Sequence, residues 1–583
     1  MSYKPLLLTT AFVIPASLSL PLASSLAADI SWDNAASGLF LDATNWDTDT
    51  VPSSEDNAII ANGGTAELLE EEFAGVNTLR ILDGVMESKQ DSVIQTGISS
   101  SSWQTTGDLQ VGGTPGQMGT LTTAGTGILT GRVRIGGYNL PGGDSSDVHG
   151  TLNMSGNSTL ATAEGGNAYD FWVGNGAGST GTLNMSDTST ITVNSSMTSG
   201  RAGGSATVNL TGSSEFKVAT YGNIAEGGTA YWTVKDNASL TLGGNLTMGG
   251  SEARLTVQDS ATVSVGGEFQ IGNGTGNTGI VEASGGTITA SSWMSIGREG
   301  GTGTVTMSGD AILIKNGGGN LIVGDGTTGT MTVSGNASIV SNSDIWVGLN
   351  NGGNGTLTIS GGSSQTSGTV IIARGNGSQG RLELNDGVLT TNGLQKGDDT
   401  GVGTGSVRFN GGTLRAGASS IDFIANFQTG EVVIDAGGVR IDTNNFDVEI
   451  SLALVGDGGL IKAGLGTLTL TGENVYLGDT TVETGTLSIT SGFLSDDANV
   501  LIAGGAIFNL DFTGTDTVNG LIINGEAMEV GTWGSLTSTA DHKSAVFTGE
   551  GILQVTSVVP EPSTIVLVIA GLGAVGWGMR RRR

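Results

Sequence analysis

Acid–base or nucleophilic chemistry needs two or three side chains converging on one point. The chain has two histidines, His149 and His542, nearly 400 residues apart in unrelated surroundings. Both read as solvated loop residues. Asp398–Asp399 and Asp496–Asp497 are adjacent acid pairs, but each is flanked by Gly or Ser, and Asp is common in such turns because its side chain bonds nearby backbone. Arg132 and Arg134 alternate on a strand with no acidic residue beside them in sequence. The absence of cysteine removes thiol catalysis and thiolate metal sites. No set of residues converges, so no catalytic residue is expected and the chain reads as a non-enzyme.

Binding chemistry is equally sparse. Gly176–Gly181 and Gly274–Gly279 fit G-x-G-x-x-G, but a phosphate-binding loop must lead into a helix. A strand pattern follows both, so they read as turns, and no cofactor is expected. Asp33 and the run from Asp42 to Thr50, "DATNWDTDT", offer oxygen ligands to a hard cation such as Ca²⁺. The spacing matches no EF-hand, so loop solvation is the plainer reading and no metal residue is assigned. Trp172 and Trp346 occupy the outward middle of short strands, where a ring could stack on a sugar. They lie seven repeat copies apart, about 34 Å along a stack of strands, too far to share one pocket, and read as scattered surface aromatics.

The elements that carry these residues come from a repeat. "GTLNMSGNSTL" at Gly150 recurs as "GTLNMSDTSTI" at Gly181, "GTVTMSGDAIL" at Gly303, "GTMTVSGNASI" at Gly329 and "GTLTISGGSSQ" at Gly355. Weaker copies start at Gly119, Ala206, Ala230, Ala253, Gly279, Gly380 and Gly405, with a mean spacing of about 26 residues. Apolar and polar residues alternate within each copy, the signature of a half-buried strand. A second short strand, such as "VRIG", "FWVG" or "LIVG", is closed by a glycine that permits a turn. No helical pattern is available for crossovers, and one unit cannot bury its own apolar face. These observations predict an all-β, right-handed parallel β-solenoid (β-helix) over 101–415 with ~26-residue rungs. A β-propeller is the alternative, but its blades are longer, about 40–50 residues.

The ends must be capped. Residues 28–100 read as an N-terminal cap, with Trp32, Phe40 and Trp46 able to plug the core. Residues 416–557 lose the strict period but stay strand-like. Residues 1–27 read as a signal peptide. Lys4 precedes an apolar stretch, and Ser25-Leu26-Ala27 places small residues for cleavage after Ala27. A retained N-terminal membrane helix is the alternative. Net charge is −31, about −35 once both terminal segments are set aside, so nucleic-acid phosphates would be repelled.

Two stretches resemble known families. Gly458–Ile489, "GGLIKAGLGTLTLTGENVYLGDTTVETGTLSI", resembles the autotransporter-associated β-strand repeat through Lys462, "GTLTLTG", Asn474-Val475-Tyr476 and Gly485-Thr486-Leu487. The resemblance implies a β-helical passenger displayed outside the cell. No outer-membrane barrel is read downstream, so self-transport is not expected. The segment 558–583 resembles the PEP-CTERM sorting signal: Pro560-Glu561-Pro562, an apolar run, then Arg580, Arg581, Arg582 and Arg583. This resemblance implies exosortase processing in a Gram-negative bacterium and release to the cell surface or an exopolysaccharide matrix.

The tail chemistry agrees with a transient role. Ile565–Met579 would form a short transmembrane sorting helix of about 22 Å, against a hydrocarbon core of about 30 Å. Four arginines would hold its end in the cytoplasm. The chain is expected to pass transiently through the inner membrane and act as a surface or extracellular-matrix structural protein or adhesin, associated with exopolysaccharide. A polysaccharide-binding or polysaccharide-degrading β-helix is the alternative, and an adhesin for a protein receptor is a further rival.

Overall fold

Alternating side chains give every strand one apolar face, and the chain buries these faces by coiling. The computed structural model describes residues 27–96, 107–113, 115–137, 146–162, 170–397 and 403–559. These form a parallel β-helix with three strands per turn. Face 1 comprises sixteen paired strands, beginning at Asp29–Ser31 and including Val133–Ile135, Phe171–Asn175 and Met294–Arg298. Face 2 includes His149–Ser155, Thr180–Met185 and Ser205–Leu210, and face 3 includes Thr159–Thr162, Thr190–Val193 and Glu215–Val218. Faces 2 and 3 belong to one sheet; Thr328–Ser341 crosses both, with a register shift between Gly335 and Ser338.

The ladder register is the repeat register. Gly119 pairs with Gly150, Gly150 with Gly181, Gly181 with Ala206, and Ala206 with Ala230. The series continues through Ala253, Gly279, Gly303, Gly329, Gly355, Gly380 and Gly405. Pairing is parallel throughout this series, which excludes the antiparallel blades of a propeller. Like residues therefore stack on like. Inside, Leu152 and Met154 sit beneath Leu183 and Met185, all buried. Outside, Asn209 donates to Asn184 and Asn184 to Asn153, each at 2.8 Å.

Corners explain two residue choices. The helix turns so tightly between faces 1 and 2 that a Cβ on Gly181 would stand 2.3 Å from both Gly174 N and Ile135 O. Between faces 2 and 3, Asp187, Asp236 and Asp259 adopt positive φ. Their carboxylates accept backbone N–H groups of neighbouring rungs, from Gly156 at 2.8 Å, Gly212 at 2.9 Å and Asp236 at 3.2 Å. Such charge-assisted bonds tie rung to rung.

The helix runs beyond the strict repeat in both directions. Asp29–Ser31, Asn57–Ile60 and Thr78–Ile81 stand at the head of face 1. Trp32, Phe40 and Trp46 close that end: all three are buried, with edge-to-face ring centroids 5.1 and 5.0 Å apart, and Trp46 Nε1 donates to the Phe40 carbonyl. After Ala416 the rungs shorten. Val439 pairs with Leu460, Leu460 with Thr480, Thr480 with Val500 and Val500 with Leu521, so a turn takes 20 or 21 residues. The apparently aperiodic C-terminal half thus has its own shorter period, because face 2 shrinks to pairs such as Val455–Gly456 and Val475–Tyr476.

At the far end, Gly531–Gly534 pairs antiparallel with Ile552–Val555 and covers the edge of that strand. The tail expected to form a membrane helix lies outside the described residues. Among those described, no helix is long and apolar enough to cross a membrane.

Candidate functional site

The sequence candidates disperse along the helix. His149 opens a face 2 strand, with Nε2 3.3 Å from Asp147 and Nδ1 2.8 Å from Thr180 Oγ1. His542 lies on a short strand, its ring stacked on Trp533 at 4.6 Å. Neither is the free loop residue expected, because each stands where a neighbouring segment can pair with it. Asp496 and Asp497 are exposed in a turn. Asp398 and Asp399 lie outside the described residues, as do Pro560, Glu561, Pro562 and Arg580–Arg583. Both G-x-G-x-x-G segments turn from face 1 into the face 2 strands Thr180–Met185 and Thr278–Ala283. Asp42 caps a 3₁₀ turn; bonds from the Thr44 hydroxyl and N–H hold its carboxyl below the usual range. Asp47 accepts the Ser31 N–H at 3.1 Å. Among the described residues, no group of three or more His, Asp or Glu side chains is placed to hold a metal.

The arginines do have an acidic partner. Arg134 Nη1 lies 2.8 Å and Arg132 Nε 3.5 Å from Asp108, which is 2% exposed. Asp108 immediately precedes the strand that pairs with theirs, so the partner stands one rung away and not beside them in sequence. Burial pushes the Asp108 carboxyl up, against the pull of Arg134 and Arg132. The Arg134 and Arg201 guanidinium carbons lie 5.3 and 5.0 Å from the Trp172 ring centre. Trp172 is therefore buried between cations, not a free surface aromatic.

Buried lysines serve corners. Lys462, fully buried, donates to the carbonyls of Ala463, Gly464 and Thr484 at 2.9, 2.8 and 3.0 Å. Burial lowers its pKa to about 8. Lys315 repeats the arrangement with Asn316 and Gly318 at 3.2 and 3.1 Å.

One place gathers aromatic and charged groups on an open face. On face 1, Ser295, Ile322, Trp346 and Ile371 occupy successive outward positions. Trp293, from the preceding corner, packs edge-on against Trp346 at 5.4 Å, and the Arg374 guanidinium lies 4.0 Å from the Trp346 ring centre. Glu268 immediately precedes its face 1 strand, and Arg298 and Asp325 end theirs. Arg298 Nη1 lies 3.2 Å from Glu268, and its Nε lies 3.5 Å from Glu299 and 3.8 Å from Asp325. Burial pushes the Asp325 carboxyl up, while Arg298 draws it down.

Glu268, Trp293, Ser295, Arg298, Ile322, Asp325 and Trp346 line a groove of about 520 Å³, within the range of small-molecule clefts. Considering Trp172 with Trp346 missed it. The signal was Trp293, which immediately precedes a face 1 strand two copies before Trp346.

Comparison with known proteins places family features on this frame. The passenger-associated transport repeat matches residues 460–489, and the PEP-CTERM protein-sorting motif matches 558–583. The chain is 29% identical over 207 residues to an adhesin BmaC autotransporter of Brucella suis biovar 1 (strain 1330). That match covers 35% of this chain and 6% of the relative. The first match lies where Lys462 staples shortened rungs, and the second follows the end of the β-helix. The chain thus carries a PEP-CTERM protein-sorting motif behind a β-helix that bears a passenger-associated transport repeat, features that support a secreted surface protein.

Proposed function

We propose that the chain is a non-enzymatic structural protein or adhesin of the cell surface or extracellular matrix, associated with exopolysaccharide. An exosortase processes it near Pro560-Glu561-Pro562 after a transient stay in the inner membrane, anchored by the tail that ends in Arg580–Arg583. It needs neither metal nor cofactor for this role. The observation that carries the reading is the in-register outer surface. Asn153, Asn184 and Asn209 form a continuous amide ladder, and the Thr residues beside them stack as Thr151, Thr182 and Thr207. Over these rungs hydroxyl and amide groups recur about 4.8 Å apart, a spacing suited to many weak polar contacts with a hydrated polymer.

The deciding experiment follows the full chain in cells with and without the exosortase. The expected result is surface or matrix protein that lacks Arg580–Arg583 by mass spectrometry, and retention in the inner membrane without the enzyme. Mature surface protein that still carries the four arginines would sink the processing step. Turnover of a polysaccharide by the purified chain would overturn the non-enzymatic role.

A further inference from the structure

The groove over face 1 differs from the rest of the outer surface in three respects. First, it has a rigid aromatic wall. The Trp293 ring is seated against the backbone of Gly319, so closely that a Cβ there would stand 2.6 Å from the indole. The edge of Trp346 supports it from the side, and Arg374 covers Trp346. A ring fixed in this way offers apolar area with little ordering cost.

Second, its floor is low and mixed. Ser295 is a small residue between larger neighbours on face 1, and Ile322 continues the floor beside it, both nearly fully buried. Third, its walls carry polar groups on both sides. Asn350 donates to Asp325 at 3.1 Å, and Gln270 donates to Glu268 at 2.6 Å. The carboxylates are thereby oriented: Gln270 and Arg298 both donate to Glu268 Oε2, which leaves Oε1 as an acceptor, and Asp325 is held by Asn350 beside Arg298. An apolar plate flanked by directed hydrogen-bond groups matches one ligand shape: a ring with an apolar face and a rim of hydroxyls.

We propose that this groove binds a non-acidic saccharide, one sugar ring lying on Trp293 and its hydroxyls spanning Glu268 on one wall and Arg298 and Asp325 on the other. This deepens the exopolysaccharide association proposed above and rests on it. Charge selects the class. Glu268, Glu299 and Asp325 line the groove against the one lining cation, Arg298, which lies within 3.8 Å of all three. A uronate or sulfated sugar would meet unbalanced negative charge, whereas neutral and amino sugars would not.

The test is calorimetric titration of the full chain, in mild detergent, with neutral β-linked gluco-oligosaccharides, chitosan oligosaccharides and oligogalacturonates. Neutral or amino oligosaccharides should bind, and oligogalacturonates at least tenfold more weakly. Trp293→Ala should weaken binding at least tenfold, with the circular dichroism of the native chain retained. Glu268→Gln, a near-isosteric change, provides the second arm and should weaken binding several-fold.

Absence of binding to every neutral and amino sugar at millimolar concentration overturns the proposal. So does tighter binding of oligogalacturonate, or binding that neither variant changes. Display of a chain that binds none of these sugars would sink the groove and leave the surface role standing. Sugar binding by a chain that never leaves the cytoplasm would do the reverse.

Discussion

Two buried ionisable groups in the short-rung region have displaced pKa values of opposite consequence. Asp516, 7% exposed, has its carboxyl pushed up to about 6 by burial, although it accepts the Leu494 N–H at 3.0 Å. Its folded pKa exceeds its unfolded one, so its contribution to stability is greatest below about pH 4 and falls as pH rises to about 6. Lys462 is depressed from 10.5 to about 8. The burden on its cation is present below about pH 8 and lifts as pH rises toward the unfolded value. The two effects place a local minimum of stability between about pH 6 and 8. Asp516→Asn should raise stability at pH 7 by on the order of 2 kcal/mol and flatten the slope between pH 4 and 6. Thermal unfolding across pH, native against variant, measures both. At this scale the sequence was hardest to read. Nothing local to Arg134 marks it as buried, because Asp108 arrives from another rung, and the cage around Lys462 closes only when Thr484 of the next rung joins Ala463 and Gly464.

The corner between faces 1 and 2 offers a test of element geometry. Gly181→Ala would press a methyl against backbone atoms 2.3 Å away and should cost about 1–3 kcal/mol. Ala206 occupies the next position in the same ladder and is accommodated. Ala206→Gly should therefore cost less, about 1 kcal/mol from added chain freedom. Thermal midpoints of the two variants give the comparison, and equal losses would refute the corner argument. Strands, turns and register were legible here because every rung rewrites the same alternation, and the twelve repeat starts are the ladder partners. The shorter rungs after Ala416 were not, since two-residue strands such as Val455–Gly456 carry no alternation to detect. The groove hid for a related reason. Trp293 belongs to a corner, and only stacking brings it against Trp346.

For the whole molecule, the strand order and the parallel pairing make a rod of about twenty rungs, roughly 100 Å long at ~4.8 Å per rung. Its fold class could be read from the repeat alone, its full length could not, because the head and tail rungs depart from the repeat. Every strand lies across the rod axis, so the interstrand hydrogen bonds run along it. If one end is held and the other is dragged by flow or by an attached polymer, the load falls on one rung at a time, as in a zip fastener. Each rung that opens would release roughly 80 Å of slack from the 23–26-residue turns, and roughly 65 Å from the 20- and 21-residue turns. Single-molecule stretching should show a saw-tooth trace with these two step sizes, and one abrupt rupture would contradict it. A tether built this way yields length before it breaks.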